Sequence, residues 1–286
     1  YIYDLNAHTH RKLTTAEAEH GTPAWVQGLR LYAWMPDSRA IVYIRNDKGV
    51  MSLWRCTLES GQHEPIYPGT YTSFRQVSVS EDGSIAFIAS ASHIPAQVVS
   101  ISPEGKPRIH KRAVSTSIPS EALSQAEPIT WTGHDGEEVY GLYYPPTNER
   151  YVSSGQPPLI VEIHGGPTSQ RTARYEPEIQ FYTSRGFAVL SVNYRGSTGY
   201  GRDYMRKLYA NWGLYDVEDA ASGAAHLVKQ GLADPDKLVI TGGSAGGYTV
   251  LQSLVDGLTQ LKPEDRPTAQ AAEKQFRDVM LAPKVK

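Results

Sequence analysis

The chain has 286 residues, a formal net charge of -2 and 40% hydrophobic residues. That balance carries no basic footprint for nucleic acid, and no apolar run approaches the ~18 residues a membrane helix needs. Cys56 is the single cysteine; with no intramolecular disulfide and no secretory signal at the start, the expected compartment is the cytoplasm.

The first stretch, residues 1 to 122, shows weak helical periodicity and recurring short alternating strands. It contains an internal echo. Asp37-Ser38-Arg39-Ala40-Ile41-Val42-Tyr43-Ile44 parallels Glu81-Asp82-Gly83-Ser84-Ile85-Ala86-Phe87-Ile88, each a polar turn leading into an apolar strand. Downstream, Met51-Ser52-Leu53-Trp54-Arg55 parallels Gln97-Val98-Val99-Ser100-Ile101. The spacing, about 40–45 residues, is that of a four-stranded propeller blade. Two unrelated hairpin pairs in a sandwich are the alternative. His8 and His10 lie two apart, as neighbours on one strand face would, and read as solvated residues. No histidine or cysteine pair has metal-ligand spacing, and no metal is expected.

Pro119 to Pro128 reads as a linker, and Trp131-Thr132-Gly133-His134-Asp135-Gly136 begins a hairpin with His134 at its turn. Pro158-Leu159-Ile160-Val161-Glu162-Ile163 is a predicted strand running into His164-Gly165-Gly166-Pro167. Ile179 to Ser184 can be helical. Gly186 to Asn193 is a strand and Asp216 to Gln230 a helix. In that helix Asp216 reads as a cap, with Asp219 three residues on and the macrodipole favouring both. Alternating β and α units imply a parallel, doubly wound sheet.

Leu238 to Thr241 is the next strand. It ends in Gly242-Gly243-Ser244-Ala245-Gly246, a G-x-S-x-G sequence. A helix is predicted from Tyr248 to Val255. Strand, sharp turn and helix are the setting of a nucleophile elbow, which leaves the serine strained and exposed. Glycines flank it because a Cβ there would meet the neighbouring backbone. A plain glycine-rich βα turn is the bland alternative. The H-G-G loop suits the other half of the same chemistry. Its backbone N–H can stabilise the alkoxide formed when a carbonyl is attacked, together with the N–H of the residue after the nucleophile. On this reading the His164 side chain is structural.

These motifs resemble the prolyl oligopeptidase family of serine peptidases, in its acylaminoacyl-peptidase and dipeptidyl-peptidase-like branch. The resemblance rests on His164 to Pro167 and Gly242 to Tyr248. It rests also on Asn193-Tyr194-Arg195-Gly196-Ser197-Thr198-Gly199-Tyr200-Gly201 and on Asp216-Val217-Glu218-Asp219. It is strong from about Trp131 to Val255 and looser before that. It implies a partial β-propeller over 1–122, followed by a partial α/β-hydrolase over 123–286 with an atypical tail from about 256. It implies Ser244 as nucleophile, the N–H groups of Gly166 and Ala245 as oxyanion hole, and Arg195 as a structural brace. The family cleaves short peptides by acyl transfer and needs no cofactor.

The α/β-hydrolase order is Ser, then Asp, then His, yet all nine histidines precede Ser244. The acids after it, Asp256, Glu264, Asp265, Glu273 and Asp278, sit in polar sequence. The stretch after Ser244 is short for further βαβ units of about 30 residues. Ala269 to Met280 can form a helix of its own. The first stretch holds fewer blades than the typical about four to eight. The chain thus reads as a middle segment of a longer enzyme, or as the product of a truncated or misassembled coding sequence. It is expected to be inactive alone, with the elbow strand left as a sheet edge. A carboxylesterase-type hydrolase and a non-catalytic segment are the competing readings. Oligomeric state is not predicted.

Overall fold

A computed structural model describes residues 1–260 except 24, 116–117 and 152–154, with side chains described up to 254. The predicted helix Ala269–Met280 and the acids Glu264, Asp265, Glu273 and Asp278 lie outside the described residues.

The chain opens with a two-stranded hairpin, β1 (Ile2–Asp4) and β2 (Thr9–Arg11). His8 precedes β2 in the turn, at φ +52°, with its ring against the Tyr3 hydroxyl. It therefore shares no strand face with His10. Two four-stranded antiparallel meanders follow. The first is β3 (Tyr32–Trp34), β4 (Ala40–Asp47), β5 (Val50–Thr57) and β6 (His63–Ile66). The second is β7 (Ser73–Val79), β8 (Ile85–Ala91), β9 (Ile94–Ile101) and β10 (Pro107–Arg112).

The sequence echo maps onto equivalent strands. Ala40 to Ile44 and Ile85 to Ile88 lie in the second strand of each meander, and Met51–Arg55 and Gln97–Ile101 in the third. The inward residues of both meanders share one core, including Val42, Ile44, Leu53, Phe74, Phe87 and Val99. Period-2 alternation of apolar side chains is what lets each sheet offer one face to that core. Between β4 and β5 the turn is Lys48-Gly49, both at positive φ, the primed two-residue geometry that matches strand twist.

A mixed five-stranded sheet follows, ordered β11-β12-β14-β13-β15. Its strands are β11 (Glu127–Thr132), β12 (Glu138–Tyr144), β13 (Leu159–Ile163), β14 (Ala188–Asn193) and β15 (Leu238–Gly242). β11 and β12 form the hairpin predicted around Trp131, although β11 begins inside the stretch read as a linker. β13, β14 and β15 run parallel, and β12 is antiparallel to β14. β14 is buried along its whole length, as a central strand covered on both faces must be.

The helices are α1 (Pro177–Thr183), α2 (Arg202–Arg206), α3 (Tyr215–Lys229) and α4 (Ala245–Gln260). α3 lays Ala220, Ala224 and Leu227 on one face of the sheet, against Trp131, Leu159 and Leu190. α1 covers the other face through Ile179, beside Leu142, Ile160 and Val189. The short helix α2 has no apolar period long enough to announce it. α4 begins three residues before its predicted start, directly after Ser244. β15 is an edge strand, and Leu238 and Val239 are exposed on it. No described helix is long and apolar enough to cross a membrane.

The meanders abut the mixed sheet through their hairpin ends. The Gly49 carbonyl accepts the Ala173 N–H at 2.9 Å, and Thr72 Oγ1 donates to the Ala173 carbonyl at 2.5 Å. Gln180 of α1 donates from Nε2 to the carbonyls of Ser92 and Ser124, both at 2.9 Å.

Candidate active site

Three loops gather at the carboxyl ends of β13, β14 and β15, where ligands bind in open parallel sheets. β15 stops at Gly242. Ser244 follows at φ +56°, a left-handed conformation that is strained for a residue with a Cβ. Its side chain is exposed. The turn closes through Gly246 N–H to the Gly243 carbonyl at 3.0 Å, and Tyr248 N–H to the Ser244 carbonyl at 3.2 Å.

Glycine is required on both sides of Ser244. A Cβ on Gly242 would lie 2.6 Å from the Gly246 carbonyl oxygen, and one on Gly246 would run into the Ile163 and His164 carbonyls. The last contact presses the elbow onto the end of β13. A Cβ on Gly165 would in turn lie 3.2 Å from Ser244 Cβ and 3.7 Å from Ser244 Oγ. The immediate neighbour of Ser244 is therefore Gly165. Gly166 comes next, at φ +138°, and folds back so tightly that a Cβ there would lie 2.8 Å from Thr168 N.

Among the described residues neither the Gly166 nor the Ala245 N–H has a hydrogen-bond acceptor. Ala245 is the first residue of α4. Its N–H is one of the groups a helix cannot pair internally, and it sits at the positive end of the macrodipole. The two groups predicted to face a developing alkoxide are thus both unpaired.

His164 is buried and structural. Its Nδ1 lies 2.7 Å from the Gly165 carbonyl, which can only accept, so Nδ1 carries the proton. Nε2 then accepts from Ser197 Oγ at 2.8 Å. The ring stacks on Tyr194 with centroids 4.4 Å apart. Burial pushes its pKa down to about 4, against a smaller opposing effect of the Gly165 carbonyl. A neutral imidazole with both nitrogens occupied is a strut for the H-G-G loop.

The loop after β14 completes this scaffold. Thr198 N–H donates to the Ser169 carbonyl at 2.8 Å. Asn193 clamps Arg171, accepting its N–H at 2.7 Å and donating to its carbonyl at 2.9 Å. Arg195 is fully buried and its guanidinium reaches Asp219 through Nε and Nη2, at 2.9 and 2.7 Å, and Asp135 through Nη1. It also lies over the Tyr215 ring at 3.9 Å. Burial works against the guanidinium charge, yet the two carboxylates outweigh it and raise its pKa. Arg195 thus pins the loop to α3 and to the β11–β12 turn.

The capping reading of Asp216 and Asp219 is corrected. Leu214 occupies the N-cap of α3, with no side-chain cap. Asp216 is fully buried and accepts the Gly213 N–H at 2.7 Å and the Thr249 hydroxyl at 2.5 Å, tying α3 to α4. Asp219 is the partner of Arg195. Sequence spacing could not separate these uses, because Asp216 sits in the first turn, where the dipole favours acids, and Asp219 lies just beyond it. No histidine hydrogen-bonds to Ser244 among the described residues. Nor does any group of three or more His, Cys, Asp or Glu gather there as a metal would require.

The arrangement has close relatives in known proteins. The model of the prolyl oligopeptidase family matches residues 173–259. An acylamino-acid-releasing enzyme of Arabidopsis thaliana is 36% identical over 110 residues, 36% of this chain and 14% of that one. The uncharacterized peptidase YuxL of Bacillus subtilis is 27% identical over 216 residues, 75% of this chain and 32% of that one. A puromycin-hydrolyzing peptidase structure from Mycobacterium tuberculosis superposes with a TM-score of 0.80 at 33% identity, covering 87% of this chain and 38% of that one. The chain therefore spans between 14% and 38% of the length of these relatives. Joined to the elbow at Ser244 and the loop at His164–Pro167, these matches make the chain similar to the prolyl oligopeptidase family, whose model it matches over residues 173–259.

Proposed function

We propose that this chain carries the nucleophile and oxyanion hole of a cytoplasmic serine peptidase that hydrolyses short peptides by acyl transfer. Residues 1–122 are read as part of a β-propeller, and residues 123–286 as part of an α/β-hydrolase domain. The two four-stranded meanders support the first reading, and the parallel strands with helices on both faces support the second. A propeller over the site restricts entry to short peptides.

The observation that carries the proposal is the exposed Ser244 at φ +56°, packed on Gly165 between β15 and α4. In the reaction, Ser244 Oγ attacks the scissile carbonyl carbon. The carbonyl oxygen becomes an alkoxide held by the N–H groups of Gly166 and Ala245. Collapse expels the amine and leaves an acyl-enzyme, which water then hydrolyses. No cofactor takes part. A serine hydroxyl needs a base to take its proton. His164 is committed to Ser197, so the reading needs a histidine from outside these residues.

The test uses the complete protein. A fluorophosphonate should label it at Ser244, and Ser244→Ala should abolish both labelling and cleavage of acyl-peptide anilides. Cleavage of a p-nitrophenyl ester with no cleavage of any peptide anilide would favour a carboxylesterase instead. Full activity of Ser244→Ala would overturn the assignment.

A further inference from the structure

The segment between β2 and β3 has no regular structure, yet it makes two contacts with the loops of the candidate site. Glu19 is held by a pair of backbone hydrogen bonds to Asn46, near the end of β4, at 2.9 and 2.8 Å. Its half-buried carboxylate reaches across and accepts the N–H of Gly199 through Oε2. Trp25 Nε1 donates to the Thr168 carbonyl at 3.1 Å. The residues linked by these two side chains are far apart in sequence but share one corner of the fold.

Gly199 occupies a particular place in the site. The residue before it, Thr198, donates its N–H to the Ser169 carbonyl at 2.8 Å. Ser197 holds His164 Nε2 at 2.8 Å. His164 adjoins Gly165, which lies against Ser244. A run of direct bonds and contacts therefore joins the Glu19 carboxylate to the nucleophile. The Gly199 backbone also has little room to drift. It has φ +92°, and a Cβ on it would collide with the Gln170 amide and lie 3.1 Å from Asn46 Nδ2. What fixes this seat is an acceptor oxygen at the reach of the Glu19 side chain.

We propose that Glu19 is a positioning residue for the oxyanion loop, acting through Gly199 from the β4 end of the first meander. The proposal rests on the peptidase reading above. Glu19 touches neither substrate nor Ser244. It sets where the loops 164–169 and 197–199 sit, and so where the Gly166 N–H points. Misplacing a catalytic group by about 1 Å can cost roughly 10²-fold in rate. Loss of Glu19 should thus appear in kcat and leave ground-state binding almost untouched.

The experiment is kinetics on a peptide anilide with the complete protein. Glu19→Ala should lower kcat by about 10- to 100-fold with KM within about twofold. Glu19→Gln keeps an oxygen that can accept the Gly199 N–H and should restore most of kcat. Glu19→Asp keeps the charge but withdraws it by one methylene, and should behave like Ala. Rates are referred to folded protein, measured from the near-ultraviolet circular dichroism of each variant. Unchanged kcat in Glu19→Ala would overturn the proposal, as would a loss that Gln fails to restore while Asp does. If the Ala variant does not fold, the Gln and Asp pair decides alone. Ser244→Ala run alongside reports separately on the peptidase reading.

Discussion

A side chain on Gly165 would begin 3.2 Å from Ser244 Cβ and 3.0 Å from the Gly243 carbonyl oxygen. The loop after β13 and the elbow after β15 are thus in direct contact, with the Gly165 hydrogen as the spacer. Neighbours at 3.0–3.2 Å must give by a few tenths of an ångström, and one of them here is backbone. Gly165→Ala should therefore shift Ser244 relative to the H-G-G loop while leaving the cores of the sheets alone. The expected outcome in the complete protein is a fall of kcat of roughly 10²-fold, with a change in thermal midpoint of only a few degrees. Steady-state kinetics and a melting curve check both parts.

Arg195 offers a different kind of test, because its role is to hold and not to react. Its guanidinium is fully buried and shared by Asp219 and Asp135. Removing one partner of a buried pair leaves an uncompensated charge and typically costs about 3–5 kcal/mol. Arg195→Ala should destabilise the fold by about that much in urea titration. Arg195→Lys should recover little, since an ammonium cannot reproduce the forked contact with Asp219. The double variant Arg195→Leu, Asp219→Leu should be more stable than Arg195→Ala alone, because no buried charge is then stranded.

The strained turn at Ser244 and the structural place of His164 were legible in the sequence because they follow from local chemistry, whereas a bracing Arg195 was implied only by the family resemblance. The elbow needs small residues at fixed spacing, and the β strand and α helix around it have distinct periods. The repeat of the two meanders was legible for the same reason, since two apolar strands preceded by polar turns recur at one spacing. The pairing of Arg195 with Asp219 and Asp135 was not. It depends on α3 and the β11–β12 turn meeting at one corner, a long-range packing event with no local signal. Glu19 is further from reach. Its partner Gly199 lies in the loop after β14, 180 residues further along the chain, and a lone glutamate in irregular sequence looks like solvated surface. The dipole argument for Asp216 and Asp219 misled because a favourable helix position is a weak preference, of about 0.3–1 kcal/mol. A buried cation or a neighbouring helix easily overrides it.

His164 gives a pH signature. Its folded pKa is lowered to about 4 by burial, against an ordinary value near 6.5. The unfolded chain therefore binds a proton at a higher pH than the folded one. The neutral ring contributes its full stabilisation above about pH 6.5, and that contribution is lost as pH falls from there to about 4. Across the window the loss amounts to about 3 kcal/mol. Urea midpoints measured from pH 7 down to pH 4.5 should decline, and His164→Gln should flatten that decline while lowering stability at pH 7. An unchanged slope in the variant would mean that the titrating group is another residue.

The chain of 286 residues, made alone, should not turn over peptides. Ser244 has the geometry of a nucleophile, but an unassisted hydroxyl is weak near neutral pH. None of the nine histidines follows Ser244, and none of them hydrogen-bonds to it among the described residues. His164 is the nearest along the fold, and its Nε2 already accepts from Ser197. Without a base for Ser244, the oxyanion hole and binding would leave an acceleration of only about 10³–10⁴ over water, too little to see for an amide in an ordinary assay. The edge adds a physical hazard. Among the described residues β15 has no neighbour on its outer side, and Leu238 and Val239 are exposed on it, with Tyr248 and Leu251 exposed on α4. Open strand edges beside apolar surface template aggregation. The purified chain should therefore be poorly soluble, unreactive toward a fluorophosphonate and inactive on acyl-peptide anilides. Stoichiometric labelling of Ser244 in a soluble monomer would defeat this expectation, and would show that a base other than histidine takes the serine proton.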